Sequence, residues 1–429
     1  MIVKYPSILL IVSTLALTSC TPANQNISSP APSPGIITPS FTPIPSPSIA
    51  SKIQPTAVPK TTPQPIPTIA PLPTLPGISQ PPQVGDYQVI DELKQPQFMA
   101  DSREMFKSTK LPVTKVDFNP ADLLVVLTST RKYFQEQLES DSDLQRTGIL
   151  GMQGVKVSEV IKTLDFMIGT IREDITANRA IRLQDAKFIN KNFKAISWTA
   201  FNPAIKDEKR LRLTKYAVFT HPGSRTPTKQ FNIGLYALKP DTDAEQLRLK
   251  YTKQDVLTNI YEAKGKEFGN VEPLAYLDRE GLESALMEGT VLIKFTDGTS
   301  GYFNVDRNNG IPFVKGLTPM DQKRYWYFRS VDNIKGYGSS IESKISLKPG
   351  VTFAGDILNI GLGRIVVLEH SQAGKQHLRM GIIADTGGAF LPNLHQLDFL
   401  AGVFDTKEDF NAYTQKLPEY AKAYILVKR

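Results

Sequence analysis

The chain has a single cysteine in 429 residues, with four histidines and two tryptophans. A lone thiol, Cys20, cannot form an intramolecular disulfide, so stability in any oxidising compartment must come from the core. His221, His370, His377 and His395 show no zinc-ligand spacing and no pairing with a thiol, so no metal is expected. There is no P-loop, no dinucleotide fingerprint and no serine elbow. No cofactor is therefore expected, and nucleotide-driven and serine-hydrolase chemistry are set aside. The apolar run from Ile8 to Leu17 is too short for an ordinary membrane span. The net charge of +8 is spread along the chain without forming a basic motif.

What is present begins with an address. Lys4 precedes the apolar run, and Leu17-Thr18-Ser19-Cys20 fits a lipobox of an apolar residue, two small ones and cysteine. Residues 1–19 are expected to be a lipoprotein signal peptide, with lipid added to Cys20 after cleavage. Several acyl chains together anchor firmly, at about 0.8 kcal/mol per buried methylene. Thr21 beside the lipid is not aspartate, which favours the outer membrane, facing the periplasm. Such a location excludes nucleic acid as a partner and leaves cell-wall polymers and lipid headgroups as the polyanions at hand. A monomer is expected.

Residues 20–86 form the lipidated cysteine and a tether. Eighteen of the 32 prolines lie here, and Lys52 and Lys60 are its charges before Asp86. Such a composition cannot bury a core, and at about 3.1 Å per residue it spans up to roughly 200 Å.

The remainder reads as mainly β with N-terminal helices, an α+β class. Residues 87–216 are expected to be helical. Asn119-Pro120 is an N-cap and first-turn pair ahead of Leu123, Leu124, Leu127 and Tyr133. Val157 and Ser158 open a second helix, and Arg182 to Asp185 open a third running through Phe188, Ile189 and Phe193. Short β-type runs then take over, with Asp297-Gly298 as a hairpin turn, and many short strands argue for barrels over a parallel sheet.

The stretch that carries chemistry is Asp385-Thr386-Gly387-Gly388-Ala389-Phe390, with Asp398 thirteen residues after Asp385. The apolar run Met380 to Ala384 reads as a buried strand leading into the first acid. Thr-Gly-Gly permits a tight turn through glycine's backbone freedom. Two carboxylates at adjacent strand ends share one cleft in this reading. An acid in an apolar pocket holds its proton near neutral pH and can donate it to a leaving group. From the residues alone, an acid such as Asp398 is more often a turn or pairing residue, and Asp385 before glycine is more often a turn cap.

This stretch resembles the C-terminal barrel of the MltA family of membrane-bound lytic murein transglycosylases, whose pattern runs Asp-x-Gly-Gly-Ala-Ile-Lys-Gly and then hydrophobic-Asp-hydrophobic. Further blocks follow the family's order. They are Leu213-Thr214-Lys215-Tyr216, Gly223-Ser224-Arg225-Thr226-Pro227-Thr228, Leu235-Tyr236, Tyr251 to Val256, Asp297-Gly298 with Gly301-Tyr302, and Asn308 to Phe313. The departures are Leu391-Pro392 in place of Lys-Gly, Ala217-Val218-Phe219 in place of Tyr-Glu-Pro, and Glu288 in place of a groove glutamine.

The resemblance implies a C-terminal 3D, or double-psi, β-barrel over 314–429 and an inserted β domain over 217–313. It implies peptidoglycan glycan strands as the partner, besides the membrane that the lipid on Cys20 reaches. Asp398 falls on the family's catalytic acid/base. Asp385, Gly387, Gly388, Thr214, Tyr216 and Glu288 fall on supporting or groove positions, and Tyr236 and Trp326 are further aromatics that either stack on sugars or pack in the core. The implied reaction cleaves between N-acetylmuramic acid and N-acetylglucosamine and leaves a 1,6-anhydro sugar. The alternative is a catalytically degenerate, lipid-anchored glycan-binding or scaffolding protein, which the lost groove residues suggest.

Overall fold

A computed structural model describes residues 85–429 apart from 206, 241–242, 315, 373 and 388–389. The expected signal peptide, Cys20, the expected tether up to residue 84 and Gly388 lie outside the described residues.

The helices follow from local signals. Asn119 Oδ1 accepts the amides of Ala121 (3.0 Å) and Asp122 (3.2 Å), and Pro120 opens a helix that runs to Gln137. Its buried face is Leu123, Val126, Leu127, Thr130, Tyr133 and Phe134, the spacing of one helical stripe. A second helix, Val157–Thr176, buries Val160, Leu164, Met167, Ile168 and Ile171. The third helix starts at Ala186 with Asp185 as its N-cap, but it ends at Asn192. Phe193, expected inside it, turns extended and begins a strand, because sheet pairing along Phe193–Trp198 competes with one more helical turn. The region 87–216 is thus helices interleaved with strands. No helix among the described residues is long and apolar enough to cross a membrane.

Sixteen strands are seen among the described residues. β1 (Asp86–Ile90) and β2 (Pro96–Asp101) form a hairpin of their own. β3 (Phe106–Thr109), β4 (Val116–Asp117) and β5 (Phe193–Trp198) precede β6 (Leu211–Gly223). β7 (Ile233–Leu238) and β8 (Val271–Leu277) make a separate antiparallel pair. Next come β9 (Thr290–Phe295), β10 (Ser300–Asn308) and β11 (Trp326–Val331). β12 (Thr352–Ala354), β13 (Ile365–Gln372), β14 (Lys375–Asp385), β15 (Gln396–Phe404) and β16 (Tyr420–Lys428) complete the chain.

Six strands close on themselves in the order β6, β15, β12, β14, β13, β16, with β16 pairing back to the start of β6. Closure removes sheet edges, and the interior is filled by buried residues that share one face of these strands, such as Phe353, Ile383, Leu397 and Ile425. β5 and β3 extend the sheet from β16.

β6 serves two bodies. Its first part pairs with β15, and its last part, Thr220–Gly223, pairs with β9. Beyond it β9, β10 and β11 run antiparallel, with β9 and β10 joined at Asp297-Gly298, where Gly298 takes φ +84°. These strands share an apolar cluster with the β7–β8 pair, from Leu235 to Phe328. That cluster passes Phe313, since β11 pairs with β10 and contributes Tyr327 and Phe328. Tyr236, Tyr251, Tyr261, Tyr325 and Tyr327 belong to it, and the Tyr261 and Tyr327 hydroxyls meet at 2.6 Å. Tyr236 is buried here, donating to Glu262, so it packs in this core and does not face a cleft.

Candidate active site

Strand register brings the two acids together. Ala354 of β12 pairs with Asp385 of β14 on one side and with Asp398 of β15 on the other. On the far side of β15, Asp398 pairs with Thr214 of β6. The row Asp385, Ala354, Asp398, Thr214 therefore crosses four neighbouring strands. The small alanine between the acids leaves the space over them open. That space is a cleft of about 510 Å³, walled by Tyr216 and Val218 of β6, Glu288, Lys344, Gly387 and Phe390.

Asp385 is held from two sides. Its Oδ2 accepts the Tyr216 hydroxyl at 2.8 Å, and its Oδ1 accepts the Thr386 amide at 2.9 Å. Burial pushes its carboxyl up to about 6, against the pull of the Tyr216 hydroxyl, the Thr386 amide and the Lys344 charge. The same burial, together with the Asp385 carboxylate, drives the Tyr216 hydroxyl well above its usual range, so Tyr216 remains a proton donor.

Asp398 differs in one respect. Its Oδ1 is buried and has no hydrogen-bond partner. The Thr214 hydroxyl donates to the Leu397 carbonyl at 3.3 Å and accepts from Gln396 at 3.0 Å. Burial pushes the Asp398 carboxyl up to about 6, and the Asp385 charge adds to the rise, while Thr214, Lys215 and the Phe399 amide oppose it. An acid that is half-buried, lacks a donor on one oxygen and titrates near neutrality can both give and take a proton.

Glu288 lies across the cleft. His221 Nε2 is 3.0 Å from its Oε1, the Ser284 hydroxyl donates to the same oxygen at 3.0 Å, and Oε2 is buried without a partner. Gly387 also lines the cleft, but its backbone angles are ordinary, and a Cβ there would meet only Phe390 at 3.9 Å. The turn after Asp385 does not use glycine's conformational freedom at residue 387, contrary to the expectation for Thr-Gly-Gly. Trp326 lies outside this cleft, in a neighbouring one, with the Arg324 guanidinium over its ring.

Sequence reasoning missed Lys344 and Asn304. Lys344 Nζ donates to Asn304 Oδ1 at 2.6 Å and to the Val305 carbonyl at 2.8 Å. Burial pulls its ammonium below the usual lysine range, and the Asp385 charge resists that fall. It sits in the segment between β11 and β12, where no motif marks it, and only the packing of that segment brings it to the acids. Among the described residues no group of three or more metal-ligating side chains could hold a metal ion.

No protein-family model and no curated protein sequence matches the chain. Solved structures do. The membrane-bound lytic murein transglycosylase of Agrobacterium tumefaciens aligns with a TM-score of 0.50 at 16% identity, over 74% of this chain and 98% of that one. Escherichia coli MltA with bound chitohexaose aligns with a TM-score of 0.49 at 14% identity, over 76% of this chain and 95% of that one. MltA of Neisseria gonorrhoeae aligns with a TM-score of 0.47 at 15% identity, over 74% and 96%. Mainly β with added helices, the chain has the fold of the membrane-bound lytic murein transglycosylase of Agrobacterium tumefaciens.

Proposed function

We propose that the chain is a lytic murein transglycosylase in which Asp398 is the single acid and base. The observation that carries this reading is the Asp398 carboxyl itself, with one buried, unpartnered oxygen and a pKa near 6, at the wall of a cleft of about 510 Å³. Protonated Asp398 gives its proton to the oxygen between N-acetylmuramic acid and N-acetylglucosamine. The bond from that oxygen to C1 breaks, and the muramic C6 hydroxyl attacks C1. Its proton returns to the Asp398 carboxylate, so the enzyme is restored and no water is consumed. A second catalytic carboxylate is not required, which distinguishes the scheme from hydrolysis by an acid pair. Asp385 then serves as a charge that lifts Asp398, held in place by Tyr216.

We read the six closed strands as a double-psi barrel and the Leu235–Phe328 cluster as the inserted domain. Lipid on Cys20 and the proline-rich tether would hold this catalytic part near the cell wall from the outer membrane.

Val218 supports a second reading. It is buried in the cleft wall where the resembling family carries a glutamate, which suits a protein that binds glycan strands without cleaving them. Incubating purified protein with isolated cell wall and analysing the soluble products by mass spectrometry separates the two. Release of 1,6-anhydro muropeptides is expected, and binding without such products supports the second reading.

A further inference from the structure

Next to the Asp398 cleft lies another of about 330 Å³, and the two share the wall formed by Met287, Glu288, Gly289, Val305, Thr386 and Gly387. Its cations are Lys253 and Arg324. Lys253 is already satisfied, with Nζ 2.6 Å from Glu283 Oε2 and 2.5 Å from the Pro319 carbonyl. Arg279 Nη2 lies 2.7 Å from the other Glu283 oxygen, an ion pair without hydrogen-bond geometry. Glu288 is engaged by His221 and Ser284.

Arg324 is different. Its guanidinium lies 4.4 Å over the Trp326 ring, and its Nε is buried without an acceptor. No carboxylate lies within ion-pair distance among the described residues. Exposed Glu92 of the β1–β2 turn is the acid that acts on it through space. Burial pulls the guanidinium below its ordinary value, the sign of a cation that lacks its counter-charge. Stacking on an aromatic face fixes the plane of a guanidinium and leaves its edge for a planar, two-oxygen acceptor.

We propose that Arg324, set against Trp326, is a carboxylate-binding subsite that reads the acidic group carried on every muramic residue. The proposal rests on the reading of the neighbouring cleft as a glycan site. A strand lying over Asp398 continues past Met287 to Gly289 into this second cleft. Its carboxylate accepts the two terminal N–H groups of Arg324, which meet no acceptor among the described residues. A neutral N-acetylglucosamine polymer offers no such group. The acceptor is either the free lactyl carboxylate of a strand without peptides or a carboxylate of an attached peptide, which are chemically alike at the guanidinium.

Full-length protein carrying Asp398→Asn, which cannot turn substrate over, is titrated calorimetrically with four probes. These are peptide-free muramic strands and peptide-bearing strands, each before and after coupling of their carboxyls to methylamine. Charge-assisted pairing predicts that at least one free-acid probe binds about 10–100-fold tighter than its amidated form. Preference within the peptide-free pair identifies the lactyl group, and preference only within the peptide-bearing pair identifies the peptide. Arg324→Gln is expected to bring the preferred ratio to within about twofold, and Arg324→Lys, which keeps the charge without the fork, to hold part of it. Ratios below about threefold in both pairs, or an unchanged ratio in Arg324→Gln, overturn the subsite. The proposed activity is read separately, as anhydro products released by the protein with Asp398 intact. A protein that discriminates acids yet releases none keeps the subsite and loses the activity, and the reverse result does the opposite.

Discussion

Asp398→Asn should make the protein inactive and more stable at the same time. The folded protein raises the Asp398 carboxyl from 3.8 to about 6. Above pH 6 the residue is ionised in both the folded and the unfolded chain, so the folded state carries the full cost of the buried charge. A rise of about two pH units, at about 1.36 kcal/mol for each, gives an upper bound of about 3 kcal/mol. The side chain is half-buried, so solvent screens part of this and about 1–2 kcal/mol is the working figure. Asparagine keeps the shape and removes the charge. At pH 4 the folded carboxyl is protonated and the unfolded one, with its ordinary value of 3.8, is about half protonated, so most of the cost is gone and the substitution has little to relieve. Urea unfolding at pH 7.5 and at pH 4 reads the difference directly. A loss of stability in Asp398→Asn at pH 7.5, or an equal gain at pH 4, would refute the buried-charge account. In the same preparation, release of anhydro products should drop by about 10²–10⁴-fold, the usual worth of a general acid. A loss below tenfold removes Asp398 from the mechanism.

The pH–rate profile should fall about tenfold per unit well above pH 6, because the reaction starts from protonated Asp398; a flat profile from pH 6 to 9 argues against that start. Tyr216→Phe removes the donor that keeps the Asp385 carboxyl down, so Asp385 becomes neutral more readily and lifts Asp398 less. The alkaline limb should move to lower pH, and a move to higher pH contradicts the coupling. Gly381→Ala places a Cβ 2.6 Å from the Phe353 ring and 2.6 Å from the Val351 carbonyl. A cost of about 1–3 kcal/mol is expected from such overpacking, and an unchanged urea midpoint would show that the barrel yields there. Cys20→Ala should leave protein that no longer sediments with membranes; unchanged sedimentation would mean that another anchor exists.

Local signals carried much of the fold. Asn119-Pro120 starts its helix because the cap and the first turn are contiguous in the chain. Asp297-Gly298 makes its hairpin because a two-strand turn is decided by a few adjacent residues. The apolar run into Asp385 is a buried strand for the same reason. Phe193 reads as helical because its spacing is satisfied locally, while the sheet that claims it lies more than two hundred residues away at β16. The two acids can be picked out in the sequence, but not what surrounds them. Tyr216 reaches Asp385 across 169 positions, and Lys344 reaches the same cleft from a segment with no motif. Ala354 stands between the acids only because β12 pairs with both of their strands. The sequence determined which residues can hold a proton and where chains turn. Only the closed barrel decided which carboxyl is left with an unpartnered oxygen, because desolvation is set by neighbours that arrive from every part of the chain.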